Sequence, residues 1–100
     1  KVITNSKKLF KDMFIEWHKT QSSNWSPSYA EDVMSRAQNH IFAHIGDMYV
    51  DTIQTEDVIR MLKIIENKGS FDTLKKMEAV VKRVFQYCIV HKVSSIDPTS

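Results

Sequence analysis

The sequence predicts an all-α protein folded as a compact bundle of four helices, and three observations carry this prediction. Apolar residues recur at helical spacing through four segments of the chain. Only two glycines and two prolines occur in 100 residues, too few for the many tight turns of a β-sandwich or barrel. The hydrophobic content of 42% and the charged content of 26% are ordinary for a globular chain, and this length is enough for one core.

The first predicted helix runs from about Ser6 to Gln21. Phe10, Phe14 and Trp17 recur there at helical spacing, whereas the lysines of this segment lie mostly elsewhere. The polar stretch QSSNWS then interrupts the apolar pattern, so the helix is expected to end there.

The second predicted helix opens at Ser26 and ends at Gly46. Serine is a favourable N-cap residue, and Pro27 at the first helical position gives up no hydrogen bond that the helix needs. Its inner stripe comprises Val33, Ala37 and Ile41. The following residues, GDMYVDTIQ, alternate loosely and predict an extended connector with at most one short strand-like turn.

Two further helices complete the predicted bundle. Thr55 is the expected N-cap of the third helix, which Gly69 ends. Ser70 is the expected N-cap of the fourth helix, which runs from about Phe71 to His91. The residues expected to be buried on these two helices are Val58, Met61, Leu62, Ile65, Leu74, Met77, Val80, Val81, Val84, Phe85 and Cys88.

The last two helices carry charge of opposite sign, which the formal net charge of +2 conceals. Residues 47–67 contain five acidic residues against Arg60 and Lys63, a local balance of −3. Residues 70–92 contain five basic residues against Asp72 and Glu78, a local balance of +3. The fourth helix is therefore the basic element of the chain.

A helical wheel gathers the basic residues of the fourth helix on one face, opposite its apolar residues. Lysine and arginine at this spacing can reach phosphates, and arginine and glutamine can also bond to base edges. The plain alternative is a solvated outer face, which every helix of a soluble bundle has, and the helix alone does not decide between the two. The residues of this face, with no acid in its middle, are Lys75, Lys76, Ala79, Lys82, Arg83 and Gln86.

The other candidate sites are weaker. His40 and His44 lie one helical turn apart, but no third ligand has suitable spacing, so we expect no metal site. The single cysteine, Cys88, lies on the apolar face of its helix and is expected to fill the core. The sequence has no Gly-rich phosphate loop, no paired-carboxylate motif and no nucleophile beside a base. We therefore expect no catalysis by this chain alone and no cofactor.

Several segments, taken in order, point to one family. Glu16 and Trp17 close the first helix, NWSPSY (24–29) leads into the second, and HIFAHIG (40–46) ends it. MYVDTIQTEDVIRMLKIIENKG (48–69) contains an Ile-x-Thr-x-Asp-Val pattern between a short extended stretch and a helix. VFQYCIVHKVSSIDP (84–98) is similar to a Phe-x-Tyr-Ala and Asn-Pro ending. Together, through their order and spacing, these features resemble the core-binding domain of tyrosine recombinases, in particular the integrases of temperate phages and genomic islands.

The resemblance implies a four-helix, SAM-like bundle that precedes a separate catalytic domain. The two domains would close around core-site DNA as a clamp, in the cytoplasm of a bacterial host. The implied partners are double-stranded DNA at a recombination core site, the catalytic domain of the same chain and other integrase protomers on the DNA. No membrane partner is expected, because no run approaches roughly 18 apolar residues.

The resemblance also implies that the second and fourth helices face the DNA, with the loop before the second helix adding backbone contacts. Catalytic residues would belong to the domain that follows, and none is assigned in this chain. Arg36 is the one arginine or lysine of the second helix, so this helix offers few cations. The implied DNA-binding residues are Asn24, Ser26, Ser28, Ser35, Arg36, Asn39, His40, Lys75, Lys76, Lys82, Arg83 and Gln86.

Two positions depart from the family pattern. Cys88 stands where alanine is usual, and Asp97 where asparagine commonly precedes the proline.

We expect residues 1–100 to be one core-binding domain excised from a larger protein, since the chain begins at Lys1 and ends in the linker-like SSIDPTS. The alternative is a helical protein–protein interaction module of the SAM adaptor type, in which the acidic third helix of one copy binds the basic fourth helix of another copy. A helix-turn-helix regulator fits less well, because no short helix pair has the usual tight turn.

Overall fold

The computed structural model describes residues 8–68, 71–91 and 98–99, and the main elements within them are four α-helices. They are α1 (Phe10–Ser22), α2 (Pro27–His40), α3 (Thr55–Asn67) and α4 (Phe71–Val90). The predicted all-α fold class and four-helix bundle are confirmed. The expected helix start at Ser6, the stop at Gly69 and the cap at Ser70 lie outside the described residues.

The start of α2 follows from its sequence. The Oγ atom of Ser26 accepts a hydrogen bond of 3.1 Å from the backbone N–H of Tyr29, and Pro27 occupies the first helical position. A serine cap of this kind stabilises a helix by about 1 kcal/mol. The predicted start is therefore confirmed, although α2 itself ends at His40, earlier than expected.

A five-residue π-helical turn, Phe42–Gly46, carries the chain from α2 to the predicted stop at Gly46. Gly46 is buried, and a Cβ atom added there would lie 3.0 Å from the Cβ atom of Phe42 and 3.5 Å from that of Lys11. The distance to Phe42 is shorter than most real Cβ contacts, whereas the distance to Lys11 is ordinary van der Waals contact, so glycine relieves crowding within the turn itself.

The connector between α2 and α3 pairs with the residues that precede α1. The N–H of Phe10 donates to the carbonyl of Met48 at 3.0 Å, and the N–H of Val50 donates to the carbonyl of Lys8 at 2.9 Å. A single turn of 3-10 helix, Val50–Thr52, follows. The expected strand-like turn thus takes the form of one antiparallel bridge.

The start of α3 differs by one residue from the prediction, because Gln54 and not Thr55 is the N-cap. The carboxylate of Asp57 accepts a hydrogen bond of 2.9 Å from the backbone N–H of Gln54. This bond is the main cause that lowers the pKa of Asp57, and Arg60 adds to it while partial burial opposes it. The local sequence therefore satisfies a free donor at the helix start with a side chain from the first turn.

α4 is the most deeply buried helix, and an aromatic cluster joins it to α1. The ring centres of Phe10 and Phe85 lie 5.0 Å apart, and Phe14 lies 6.4 Å from Phe10. All three side chains are fully buried. Leu62 and Leu74, both expected in the core, are only half-buried and pack against it. The buried apolar face of α4 comprises Met77, Val80, Val81, Val84, Phe85 and Cys88.

Two polar contacts fix α1 against its neighbours. The Nε2–H of His18 donates to the carbonyl of Ala30 on α2 at 2.8 Å. The hydroxyl of Tyr87 on α4 donates to the Oε1 atom of Glu16 at 2.8 Å. These bonds join α1 to both α2 and α4, the helices that carry most of the predicted DNA-binding residues.

Candidate nucleic-acid interface

The outer face of α4 carries the basic side chains that were predicted from the sequence to bind DNA. Because the apolar residues of α4 pack inward, this face is left to solvent. Lys75, Lys82 and Arg83 are exposed, and so are Ala79 and Gln86 between them. The small side chain of Ala79 leaves the centre of the face open to close approach.

Lys82 and Arg83 are unpaired cations of this face. Neither forms a hydrogen bond or an ion pair with any residue that the structure describes. The ammonium of Lys75, in contrast, lies 3.8 Å from the carboxylate of Glu78. That contact is long and joins two exposed side chains, so it contributes little to stability. The full charges of Lys82 and Arg83 are therefore available to an anionic partner.

One edge of the basic face borders a furrow between α3 and α4. The furrow encloses about 590 Å³, and its walls include Lys75 and Lys82 on α4 and Ile59 on α3. Lys76 lies on the opposite edge, where α4 meets α2. The basic residues of α4 thus extend from the α3 side of the helix to the α2 side.

A shared acidic side chain joins α2 to α4 at this second edge. The Oδ1 atom of Asp32 accepts a hydrogen bond from the Nε–H of Arg36 at 3.0 Å, and its Oδ2 atom accepts one from the ammonium of Lys76 at 3.3 Å. The Nη1 atom of Arg36 also donates to the hydroxyl of Thr73 at 2.7 Å. The surfaces of α2 and α4 are therefore one continuous polar surface.

Asp32 is ionised throughout the neutral range. The hydrogen bond from Arg36 is the main cause that holds its pKa below the ordinary value, and Lys76 adds to this while partial burial opposes it. The wheel of α4 alone shows no acid in the middle of the basic face, but α2 supplies one at its edge. The i,i+4 spacing of Asp32 and Arg36 could have predicted their pair. The contact with Lys76 depends on how the two helices pack, so the sequence gives no signal for it.

The remaining predicted residues of α2 differ in their exposure. Ser35 and Asn39 are exposed and lie beside Arg36 on the outward surface of the helix. His40 is half-buried, and its Nδ1 atom is buried with no hydrogen-bond partner among the described residues. Burial is the main cause that lowers the pKa of His40, followed by the charge of Lys68. The ring is therefore neutral at pH 7 and adds no positive charge to the surface.

The loop before α2 places its predicted residues on the surface. Asn24, Ser26 and Ser28 are all exposed, but Ser28, which was expected in the loop, lies in the first turn of α2. Ser26 already accepts a hydrogen bond as the N-cap, but its hydroxyl hydrogen can still be donated. The loop is held by Trp25, whose ring lies edge-on to Trp17 at 5.7 Å.

Tyr29 belongs to the same surface, although sequence reasoning gave it no role there. Its side chain is 39% exposed, and its ring lies 5.1 Å from Trp25. The ammonium of Lys76 lies 5.2 Å from the centre of the Tyr29 ring, a cation–π contact. Tyr29, Asp32 and Thr73 thus surround the cations at the α2–α4 edge.

The other candidate features of the sequence were a buried cysteine and a possible histidine metal site, and no membrane-spanning helix was expected. Burial raises the pKa of the Cys88 thiol to about 12, so the thiolate is scarcely populated at neutral pH. Among the described residues, no group of three His, Cys, Asp or Glu side chains could hold a metal ion around His40 and His44 or elsewhere. Within the same ranges, no helix has the length and apolar character needed to span a bilayer.

Comparison with known proteins identifies the family. The family described as "Phage integrase central domain" matches residues 10–100. The chain belongs to the phage integrase central domain family. The expected resemblance to phage integrases is therefore confirmed, and the acidic–basic pairing of a SAM-type adaptor is not favoured.

Individual relatives of the chain are distant in sequence. The protein IntB of Escherichia coli K12 is 24% identical over 98 residues, which cover 98% of this chain and 24% of IntB. The integrase of Enterobacteria phage P4 is 22% identical over 85 residues, which cover 85% of this chain and 19% of that protein. The chain thus spans about a quarter of the length of the curated relatives it matches, or less.

A solved structure supports the fold of this integrase domain. The chain is similar to a fragment of the phage integrase IntS of E. coli determined by NMR, with a TM-score of 0.85 and 22% sequence identity. The match covers 91% of this chain and 77% of the IntS fragment. At this identity the similarity establishes the helical fold, and the roles of individual residues have to be argued from the chain itself.

Proposed function

We propose that this chain is the DNA-binding domain of a phage or genomic-island integrase. In the full-length protein, a site-specific tyrosine recombinase, it would clamp core-site DNA together with the catalytic domain. The observation that carries the proposal is the exposed basic face of α4, on which Lys82 and Arg83 have no partner among the described residues. Cleavage and rejoining of strands would belong to the catalytic domain.

The geometry of the α4 face suits a DNA backbone. Exposed cations flank Ala79, whose small side chain allows a phosphate chain to approach the helix closely. Phosphate contacts fix the position of a protein on the duplex, whereas contacts to base edges supply sequence preference. Arg83 and Gln86 have side chains that can make both kinds of contact. The α4 face can therefore position DNA and also read it.

The outer surface of α2 would extend this contact. Arg36 lies at the α2–α4 junction, and Ser35 and Asn39 are exposed beside it. Serine and asparagine side chains commonly bond to phosphate or sugar oxygens. Asn24 and Ser26 could add contacts from the loop, and Ser28 from the first turn of α2. In this proposal α2 supplies mainly neutral hydrogen bonds, while α4 supplies most of the charge.

The proposal predicts weak DNA binding with a strong dependence on salt. Four neutralised phosphates would give a slope of roughly −3 to −4 for the logarithm of the association constant against that of the salt concentration. As half of a clamp, the isolated chain should bind in the micromolar range or more weakly, about 10⁻⁴ to 10⁻⁶ M. Fluorescence anisotropy of a labelled duplex, titrated between 50 and 200 mM salt, measures both quantities.

Two results would contradict this proposal. One is DNA binding whose affinity does not change with salt. A protein that neutralises phosphates releases their counterions, so its affinity must fall as the salt concentration rises. The other is concentration-dependent self-association in sedimentation without any affinity for DNA, which would favour a protein–protein interaction module. Sedimentation of the chain alone and with duplex therefore completes the test.

A further inference from the structure

The cations at the α2–α4 edge differ from those at the centre of α4 in one respect. Arg36 and Lys76 occupy the two oxygens of the Asp32 carboxylate, at 3.0 and 3.3 Å. Their combined charge is therefore reduced from +2 to +1 by a group inside the protein. Lys82 and Arg83 have no such counterion among the described residues. Four basic residues on one surface thus fall into two electrostatic classes.

The shared carboxylate leaves donors on both cations. Arg36 uses its Nε–H toward Asp32 and one Nη1–H toward Thr73, so the hydrogens on Nη2 stay unused by these bonds. Lys76 uses one ammonium hydrogen toward Asp32 and keeps others. Both groups are partly accessible, with side-chain exposures of 33% for Arg36 and 29% for Lys76. Each cation can therefore offer a donor to an anion while it keeps its bond to Asp32.

The positions of these donors are constrained from several sides. Asp32 fixes one atom of each cation, Thr73 holds a second atom of Arg36, and the Tyr29 ring lies under the ammonium of Lys76. Such a cation–π contact contributes about 0.5–1 kcal/mol at an exposed site. Two cations whose positions are fixed in this way suit a small anion that contacts both of them.

We propose that Arg36, Lys76 and Asp32 form a unit that binds a single backbone phosphate of nucleic acid, and that Asp32 is the positioning residue that limits the unit to one. The inference rests on the proposed function, since it names which phosphate contacts the domain makes at this edge. Asp32 stays ionised at the pH of binding, so its charge is a permanent part of the unit. Its effect is to restrain the non-specific electrostatic affinity of the surface.

The restraint has a measurable consequence in the salt dependence of DNA binding. Each neutralised phosphate contributes about −0.9 to the salt slope. Changing Arg36 and Lys76 together to glutamine should flatten the slope by about one such step, because the proposed unit contacts one phosphate. Changing Lys82 and Arg83 together to glutamine should flatten it by about two steps. The two double variants remove the same formal charge, so a purely global charge effect predicts equal changes.

The decisive single variant is Asp32→Asn, which keeps the size of the side chain and removes its charge. The slope should steepen by about 0.9, and the gain in affinity over wild type should shrink roughly threefold between 50 and 200 mM salt. Asp47→Asn is the matched control, because Asp47 also pairs with a lysine, Lys11, at 2.8 Å but between α1 and the connector. The control should leave the slope unchanged.

The outcomes separate this inference from the proposed function. If the Lys82 and Arg83 changes weaken binding while Asp32→Asn and Asp47→Asn behave alike, the unit is overturned and the proposed function stands. Equal slope changes in the two glutamine double variants would also overturn the unit. If wild type shows no salt-dependent DNA binding, both proposals fail. Circular dichroism of each variant checks that it is folded. If Asp32→Asn does not fold, Asp32→Ala takes its place in the test.

Discussion

Changing Lys82 and Arg83 together to glutamate is expected to lower the affinity for duplex DNA about a hundredfold at low salt. A cation about 5 Å from a phosphate in water gains about 0.8 kcal/mol, and a carboxylate at the same place loses a similar amount. Two reversals therefore change the binding free energy by about 3 kcal/mol, which corresponds to roughly two powers of ten. Both side chains are exposed and unpaired among the described residues, so their replacement should leave the fold intact.

The matched control reverses Lys8 and Lys19, near the two ends of α1. Both are exposed and, like Lys82 and Arg83, have no ion-pair partner among the described residues. This control changes the net charge by the same amount, so its effect on affinity measures the long-range field alone. Equal losses for the two double variants would mean that the α4 face makes no direct contact with DNA. Anisotropy titrations under one salt condition provide the comparison.

Changing Phe85 to alanine is expected to cost about 3–5 kcal/mol of unfolding free energy. Phe85 is fully buried on α4 and packs against Phe10 with ring centres 5.0 Å apart. Its removal leaves a cavity at the junction of α1 and α4 that close packing cannot easily fill. Because a domain of this size has a stability of about 5–15 kcal/mol, the loss takes away a large fraction of it.

Phe71→Ala is the matched control for this substitution, since it removes the same side chain from the same helix. Phe71 is 69% exposed, so its loss should change the unfolding free energy by less than about 0.5 kcal/mol. Urea denaturation followed by circular dichroism measures both variants. A comparable cost for the two would show that the aromatic cluster does not hold α4 against α1.

The sequence alone predicted the helices and the core, because both follow from apolar periodicity and local caps. Ser26 and Pro27 start α2 as expected, and the inward stripe of α4 is buried as the wheel predicts. The boundaries that were missed depend on finer effects. Asp57 selects Gln54 rather than Thr55 as the N-cap of α3 by accepting its backbone N–H.

The electrostatics of the candidate interface were only partly predictable. The basic face of α4 follows from the spacing of its own residues, and no tertiary information is needed to find it. Asp32 is different, since its contact with Lys76 joins residues 44 positions apart and arises from the packing of α2 on α4. The state of His40 has a similar origin, because its burial and the charge of Lys68 on α3 lower its pKa. Effects carried by neighbouring helices are those that a helical wheel omits.

The most direct test of the central claim, that the basic face of α4 binds DNA, is an NMR titration of the isotope-labelled chain with a short duplex. The largest amide shift changes are expected around Lys82, Arg83 and Gln86, with a second group around Ser35 and Asn39 on α2. Shift changes concentrated on the exposed surface of α3, with α4 unaffected, would contradict the claim.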